Sequence, residues 1–322
     1  MKKTMTVFLT LALLLTAAVL PAAADQKPLI GIAQFAVHPS LDNCREGFIK
    51  GLELSGFKDG ENITIEVQNA QADMGLAAQI ADNMMAKNAD LICAIATPMA
   101  VVSANTADGK TPVIYTAVSD PVAAGLADAN GKGEGPVTGT SDTLPVEKQL
   151  KAIRALMPQA KVIGILYTIS EVNSNVQLKA YQEKAPEYGF TIEAAAINTG
   201  ADIAIAAPGL VGKVDCLSML LDNTVVQYLD VVLDEADAKG IPVFGSEIEQ
   251  VRLGCAAAEG IDYVALGVQT GEMAARVLKG EDASLIPFEN IKESKLYVNM
   301  EKLEQLKLTL PDGLEYVNVK EV

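Results

Sequence analysis

Two stretches of this chain repeat one arrangement of apolar runs, and this duplication limits the possible folds more than any other feature. Ile30-Gly31-Ile32 is matched by Ile163-Gly164-Ile165, and Gly56-Phe57 is matched by Gly189-Phe190, in both cases 133 residues further on. The chain is therefore expected to fold as two similar units. Two later pairs follow in the same order: Asp90-Leu91 with Val214-Asp215, and Pro112-Val113 with Pro242-Val243.

Each unit is predicted to alternate strands with helices. In the first unit, the apolar run Leu29–Ala33 precedes a helical stretch over about residues 41–55, and Ile63–Val67 precedes another over about residues 74–88. Short strands separated by helices of this length are typical of parallel sheets built from βαβ units. We therefore predict an α/β fold with two doubly wound parallel-sheet lobes.

The chain is expected to cross between these lobes three times. Val137–Asp142 leaves the first lobe, Ala256–Asp262 leaves the second, and a short return begins at Ile286. No Gly/Ser-rich or Pro-rich stretch separates the lobes, so the three segments are predicted to form a hinge. The predicted domains are residues 25–141 with about 263–285 for lobe one, and residues 142–262 with about 286–322 for lobe two and the tail.

Residues 1–24 have the three parts of an export signal. Two lysines supply positive charge, Met5–Leu20 is almost entirely apolar, and Pro21–Ala24 ends in an A-x-A cleavage site. We expect removal of this signal peptide by cleavage after Ala24. The first cysteine is Cys44, so no lipid-anchor cysteine lies near that point. These features predict a periplasmic protein.

Composition excludes several classes of function. The formal net charge is −16, which disfavours nucleic acid and anionic membranes because both select clustered Lys and Arg. His38 is the only histidine, lies in a loop beside Pro39 and is expected to be a surface or loop-packing residue. No metal-ligand spacing is present, and the glycine-rich run Gly131–Gly135 precedes a strand rather than a helix. The sequence therefore predicts no catalytic residues, metal or cofactor.

The four cysteines are widely spaced, and three of them lie in apolar, strand-like runs. In a chain of this length they are predicted to be small buried hydrophobic residues, with disulfides as the alternative. They are Cys44, Cys93, Cys216 and Cys255.

Polar residues follow the predicted strands of both units. Ligands of open parallel sheets bind at the carboxyl ends of the strands, where loops lead into helix N-termini. Hydroxyl groups there can bind a carboxylate together with backbone N–H groups, and aspartates can neutralise an ammonium group, so the set suits a zwitterion such as a free amino acid. The alternative is that these side chains only cap helices. The hydroxyl residues include Ser40, Thr97, Ser119 and Ser141, and the candidate aspartates are Asp120, Asp142, Asp222 and Asp262.

Several of these segments resemble one family. The chain is similar over about residues 28–311 to ABC-transporter substrate-binding proteins, the family that includes tryptophan- and tyrosine-binding proteins. The resemblance lies in residues 34–42, Ile95–Pro98, Ser119–Pro121, Gly139–Asp142 and Asp222–Thr224.

The resemblance implies a type I periplasmic-binding-protein fold, an aromatic amino-acid ligand, and delivery to a permease and an ATPase in the inner membrane, usually by a monomer. We assign Ser40, Thr97 and Ser119 to the ligand carboxylate, Asp222 or Asp262 to its ammonium group, and Phe35 to its ring. The site residues implied by the matching motifs are Phe35, Ser40, Thr97, Pro98, Ser119, Asp120, Ser141, Asp142, Asp222 and Asn223.

The predicted mechanism is closure of the two lobes on the ligand about the hinge, so that the second lobe completes the polar contacts. Three alternatives stay open. The same fold could bind a branched-chain amino acid, a sugar or a nucleoside, or it could act as a sensor module for a receptor. An exported hydrolase is the third, although no nucleophile and base are found.

Overall fold

The computed structural model describes residues 27–291 and 293–321. The predicted signal peptide and its cleavage after Ala24 lie outside the described residues and stay a prediction. The first part of the chain forms most of lobe one. Its elements are β1 (Leu29–Gln34), α1 (Pro39–Leu54), β2 (Thr64–Asn69), α2 (Met74–Ala86), β3 (Leu91–Ile95), α3 (Thr97–Ala107), β4 (Val113–Val118) and β5 (Val137–Ser141).

The next part of the chain forms lobe two and repeats the alternation of strands and helices. Its elements are α4 (Val146–Leu156), β6 (Val162–Thr168), α5 (Val172–Lys184), β7 (Thr191–Ile197), α6 (Ile203–Val211), β8 (Cys216–Ser218), α7 (Asn223–Gln227), α8 (Leu229–Ala238), β9 (Val243–Phe244), α9 (Ile248–Leu253) and β10 (Ala257–Gly260). The C-terminal elements are α10 (Tyr263–Leu278), β11 (Glu289–Asn290), β12 (Lys295–Val298), α11 (Met300–Leu306) and β13 (Val317–Asn318).

The two sheets have matching strand orders. Lobe one has the order β11-β5-β4-β3-β1-β2, and lobe two has the order β13-β12-β10-β9-β8-β6-β7. The repeated runs occupy equivalent places, since Ile30 pairs with Leu91 and Ile163 pairs with Cys216. Among the described strand pairs, only β10 with β12 is antiparallel. The predicted fold of two doubly wound α/β lobes is confirmed.

The third crossing lies later than predicted. Glu289–Asn290 pairs with Thr140 and Ser141 and so extends the sheet of lobe one, whereas Lys295–Val298 pairs with β10 in lobe two. The predicted boundary at Ile286 is therefore wrong, and the chain crosses between Asn290 and Lys295. A two-residue strand is too short to leave a recognisable apolar pattern.

Helix α10 returns to lobe one and packs closely on α1. A Cβ atom on Gly267 would lie 2.2 Å from the carbonyl oxygen of Cys44, and one on Gly47 would lie 2.2 Å from that of Val264. Only glycine permits this backbone approach. The contact fixes α10, which begins at the second crossing, against α1, which begins in the cleft between the lobes.

The strands of both sheets supply the cores. β1 and β3 are buried on both faces, as expected for parallel strands covered by helices on each side. All four cysteines are free and buried, which confirms that they are small core residues. Within the described part of the chain, no helix combines the length and apolar character needed to span a membrane.

Candidate ligand-binding site

A small cavity of about 20 Å³ lies between the lobes, where strands of both sheets end; we call it the inner cavity. Four predicted site residues meet there: Ser40 and Asp142 on the side of lobe one, and Asp222 and Asn223 on the side of lobe two. This is the position at which open parallel sheets bind ligands. The described residues that line it are His38, Ser40, Leu41, Ala117, Asp142, Leu221, Asp222, Asn223, Val226, Glu247, Gln250 and Tyr263.

The wall of the inner cavity is rich in buried carboxyl groups. Burial raises the pKa of Asp142, and it raises the pKa of Asp222 and of Glu247 to about 7. Among the described residues, the wall includes neither lysine nor arginine. Since a nearby positive charge favours the ionised form of a carboxyl group, this wall suits a ligand that carries an ammonium group.

Asp142 has one oxygen available to a ligand. Its Oδ2 accepts a hydrogen bond of 2.6 Å from the Tyr263 hydroxyl, while its Oδ1 is buried without a hydrogen-bond partner in the described structure. Burial raises the pKa of Asp142, and the hydroxyls of Tyr263 and Ser119 oppose this rise. A buried carboxylate oxygen without a partner is costly, and an ammonium group would remove that cost.

Asp222 is already occupied by the protein. Its carboxylate accepts bonds of 2.6 Å from Thr168 N, 2.8 Å from Thr168 Oγ1, 2.7 Å from Ser174 Oγ and 2.8 Å from Val225 N. The pKa of Asp222 rises to about 7 because of burial and the nearby charge of Glu171. These four donors make Asp222 the cap of α7 and a brace within lobe two, so the geometry does not favour it as the ammonium partner.

Two helices of lobe one begin at the cleft without side-chain caps. In the described structure, no side chain accepts from the first N–H groups of α1 or α3. Ser40 Oγ and Thr97 Oγ1 lie in their first turns, and both are buried without a partner there. Free N–H groups beside a hydroxyl form an anion-binding arrangement. The predicted carboxylate roles of Ser40 and Thr97 stay predictions; of the two residues, only Ser40 lines the inner cavity.

His38 is a wall residue that the sequence did not indicate. Its ring is only 8 % exposed, lines the inner cavity and is not at the surface. Burial lowers the pKa of His38 to about 4, so the ring is neutral at physiological pH and offers one donor and one acceptor. The expected surface position is therefore wrong, whereas the loop-packing alternative agrees with this burial.

A second, larger cavity of about 310 Å³ lies between the lobes and is lined by Phe35 and Pro98; we call it the outer cavity. Tyr228 and Thr224 line it from lobe two. Thr224 follows Asn223 of the inner cavity, so the start of α7 contributes to both. The predicted site residues are thus divided between a carboxyl-rich inner part and an outer part with aromatic side chains.

The structure places the remaining predicted residues elsewhere. Ser119 and Ser141 are buried behind the inner cavity, where Ser141 Oγ donates to Ser119 O over 3.4 Å. Asp120 is half-buried and accepts from Val122 N and Ala123 N in its own turn. Asp262 is exposed and caps α10 through Val264 N and Ala265 N, so its predicted role as an ammonium partner is wrong.

Glu247, Gln250 and Tyr263 are wall residues absent from the predicted set. Glu247 accepts from Glu249 N and Gln250 N at the start of α9 and still faces the cavity. Its position three residues after β9 was a usable signal, because ligands of open parallel sheets bind at the carboxyl ends of the strands. Tyr263 carried no such signal, since a tyrosine at a helix start is usually a packing residue.

The two lobes contact each other across the cleft. Gln177 Nε2 of α5 donates to Ser119 Oγ of lobe one over 2.9 Å, and Asn43 Nδ2 of α1 donates to Glu249 Oε1 over 2.9 Å. Backbone N–H of Val37 donates to Gln227 Oε1 over 3.3 Å. Because these bonds join the two lobes directly, the cleft is closed in this structure.

Comparisons with known proteins agree with this geometry. Residues 29–321 match the family described as ABC transporter substrate binding protein. A protein of Clostridioides difficile named tyrosine-binding protein is 40% identical over 294 residues, which cover 91% of this chain and 85% of the relative.

Two solved structures have this fold, and they superpose on this chain to different extents. An ABC domain from Streptococcus pneumoniae in complex with L-Trp is 33% identical, with a TM-score of 0.88 over 91% of this chain and 99% of that one. A ligand-free, open substrate-binding protein from Clostridium difficile is 41% identical but has a TM-score of 0.67 over 90% of this chain and 99% of that one. The fold is that of type I periplasmic binding proteins, and the match over residues 29–321 shows that this chain belongs to the ABC transporter substrate-binding protein family.

Proposed function

We propose that this chain is the solute-binding protein of an ABC importer and captures a free aromatic amino acid, namely tyrosine, tryptophan or phenylalanine. The observation that carries the proposal is the wall of the inner cavity. Asp142, whose buried Oδ1 has no hydrogen-bond partner in the described structure, lines this wall together with Ser40 at the uncapped start of α1. An acceptor for an ammonium group and donors for a carboxylate are the two ends of an amino acid.

The proposed pose puts the charged end of the ligand in the inner cavity. Asp142 takes the ammonium group, while Ser40, His38 and the N–H groups of α1 take the carboxylate, with Thr97 and α3 behind them. The ring then extends towards the outer cavity, where Phe35 and Pro98 lie. Offset or edge-on packing of two aromatic rings contributes about 0.5–1.5 kcal/mol beyond burial.

The relatives support an aromatic ligand. One is named for tyrosine and another was solved with L-Trp, and both cover about nine-tenths of this chain. Substrate-binding proteins of ABC transporters are extracytoplasmic and are not enzymes. We further propose that this protein acts as a periplasmic monomer, after cleavage at Ala24, and delivers its ligand to a permease and an ATPase in the inner membrane.

Calorimetry with the twenty amino acids, several sugars and several nucleosides tests the proposal. We expect heat from tyrosine, tryptophan or phenylalanine and from no sugar or nucleoside. The chain contains no tryptophan, so the fluorescence of bound tryptophan gives an independent signal against tyrosine alone. Heat confined to sugars, nucleosides or branched-chain amino acids would show that the ligand class is wrong.

A further inference from the structure

Gln177 joins the two lobes through a single buried amide. Its side chain is 3 % exposed on α5 of lobe two. The Nε2 atom donates across the cleft to Ser119 Oγ over 2.9 Å, while the Oε1 atom accepts from Leu221 N over 2.8 Å. Leu221 is a wall residue of the inner cavity and precedes Asp222. One side chain therefore contacts both a residue of lobe one and the cavity wall of lobe two.

Ser119 extends this connection to the hinge. Its carbonyl oxygen accepts from Thr143 Oγ1 over 3.0 Å, and Thr143 lies in the first crossing. Ser119 and Asp142 lie at the ends of two neighbouring strands, where Asp142 N donates to the carbonyl oxygen of Val118 over 3.3 Å. Leu221, Gln177 and Ser119 therefore form a continuous chain of hydrogen bonds that ends beside the strand end carrying Asp142.

The bond between Asn43 and Glu249 across the cleft does not share this connection. Asn43 Nδ2 donates to Glu249 Oε1, but Glu249 also pairs with Arg252 and is absent from the cavity wall in the described structure. This bond can hold the lobes together without contact with the ligand position. It therefore serves as a matched comparison for Gln177.

We propose that Gln177 is a positioning residue that couples occupancy of Asp142 to closure of the lobes through Ser119. The inference rests on the proposed function, because it needs a ligand that reaches Asp142. A ligand that binds Asp142 and contacts Leu221 holds the two walls of the inner cavity at the separation at which Gln177 reaches Ser119. Ligand binding thereby stabilises the contact that closes the cleft.

A double-mutant cycle tests this coupling on the full chain. The variants are Gln177→Ala, Ser119→Ala and the double variant, with Asn43→Ala as the control. Affinity and dissociation rate are measured by stopped-flow fluorescence with tryptophan, and the unfolding free energy of each ligand-free variant is measured in urea. X-ray scattering gives the radius of gyration at saturating tryptophan.

We expect each single variant to bind about tenfold more weakly, mainly through faster dissociation, because the lost contact exists only after closure. The double variant should bind within about threefold of the weaker single variant, since both changes break one connection. Asn43→Ala should stay within about threefold of the wild type, because its bond to Glu249 is only partly buried and Glu249 keeps its ion pair with Arg252. At saturation, the Gln177→Ala and Ser119→Ala proteins should retain a larger radius of gyration than the wild type.

Three results would overturn the inference. If the fold-losses of affinity in the two single variants multiply in the double variant, the two residues act independently. Weaker binding that follows the unfolding free energy of the ligand-free variants, with an unchanged radius of gyration, would show a merely structural role. A wild-type chain that binds no aromatic amino acid would overturn the proposed function and this inference with it. If the wild type binds and the losses of affinity in the single variants multiply, only the inference is overturned.

Discussion

The Tyr263 hydroxyl donates a hydrogen bond of 2.6 Å to Asp142 Oδ2, and so links the second crossing between the lobes to the first. Both residues also line the inner cavity. A ligand on Asp142 therefore contacts the hinge directly. This relationship explains how occupancy of a small cavity can control the arrangement of two much larger lobes.

The first prediction concerns the charge of Asp142. Asp142→Asn keeps an oxygen for Tyr263 but removes the negative charge from the ligand position. We expect affinity for the aromatic amino acid to fall by about 2 kcal/mol or more, or about 30-fold, in calorimetry. Asp262→Asn is the control because that carboxylate is exposed at the start of α10. The affinity of this variant for the ligand should stay within about twofold of that of the wild type. Equal affinities in the two variants would contradict the assignment.

The second prediction separates stability from binding at Asp222. Asp222→Ala leaves four donors without their acceptor, so the unfolding free energy should fall by about 3 kcal/mol or more. Asp262→Ala removes an exposed cap and should cost about 1 kcal/mol. Urea unfolding of both variants measures the difference. Similar losses of unfolding free energy in the two variants would contradict the role of Asp222 in stabilising lobe two.

The third prediction is a pH dependence of stability caused by Glu247. Burial raises the pKa of this carboxyl from 4.5, the ordinary value of a glutamate in water, to about 7 in the folded chain. The folded state therefore binds the proton more tightly, so this contribution to stability is present at low pH and is lost as the pH rises from about 4.5 through about 7.

Glu247→Gln removes this titration. The unfolding free energy of the wild type minus that of Glu247→Gln should decrease between pH 5 and pH 8, with a slope of at most about 1.4 kcal/mol per pH unit. Urea unfolding at several pH values measures it. The contribution of His38 to stability changes with pH in the opposite direction, since burial lowers the pKa of its ring to about 4. Because His38 is present in both proteins, this contribution cancels in the difference. A difference that is constant or rises with pH would be inconsistent with this cause.

The fourth prediction compares two helical glycines. A Cβ atom on Gly267 would lie 2.2 Å from the carbonyl oxygen of Cys44, so Gly267→Ala must separate α10 from α1 and should destabilise the protein by several kcal/mol. Gly209 in α6 has nothing within 4 Å of its Cβ position among the described residues. Gly209→Ala should therefore stabilise the chain by up to about 1 kcal/mol, through higher helix propensity. Thermal unfolding of both variants distinguishes the opposite signs.

Most of the fold could be predicted from the sequence because its information is local and repeated. The runs at Ile30 and Ile163 occupy equivalent central strands, as their common offset indicated. The antiparallel direction of β12 and the strand Glu289–Asn290 could not be predicted, because each depends on pairing with a distant strand rather than on its own pattern.

The site was harder to predict because capping and ligand binding use the same residue types. Asp142 and Asp222 both follow strands, and only their neighbours in space differ. Asp222 meets Thr168 and Ser174, which are about 50 positions earlier in the chain, whereas Asp142 meets Tyr263, which lies 121 positions later. The position of His38 in the cavity wall could not be predicted, because it shares that wall with Asn223 of the opposite lobe, which is distant in the sequence.

A crystal structure of the chain grown with tyrosine or tryptophan tests the central claim most directly. We predict one amino acid between the lobes, with its ammonium nitrogen within hydrogen-bonding distance of Asp142 Oδ1 and its carboxylate at the start of α1 beside Ser40. An ammonium group bound to Asp222 or to Asp262, or a ligand seated outside the cleft, would contradict the account.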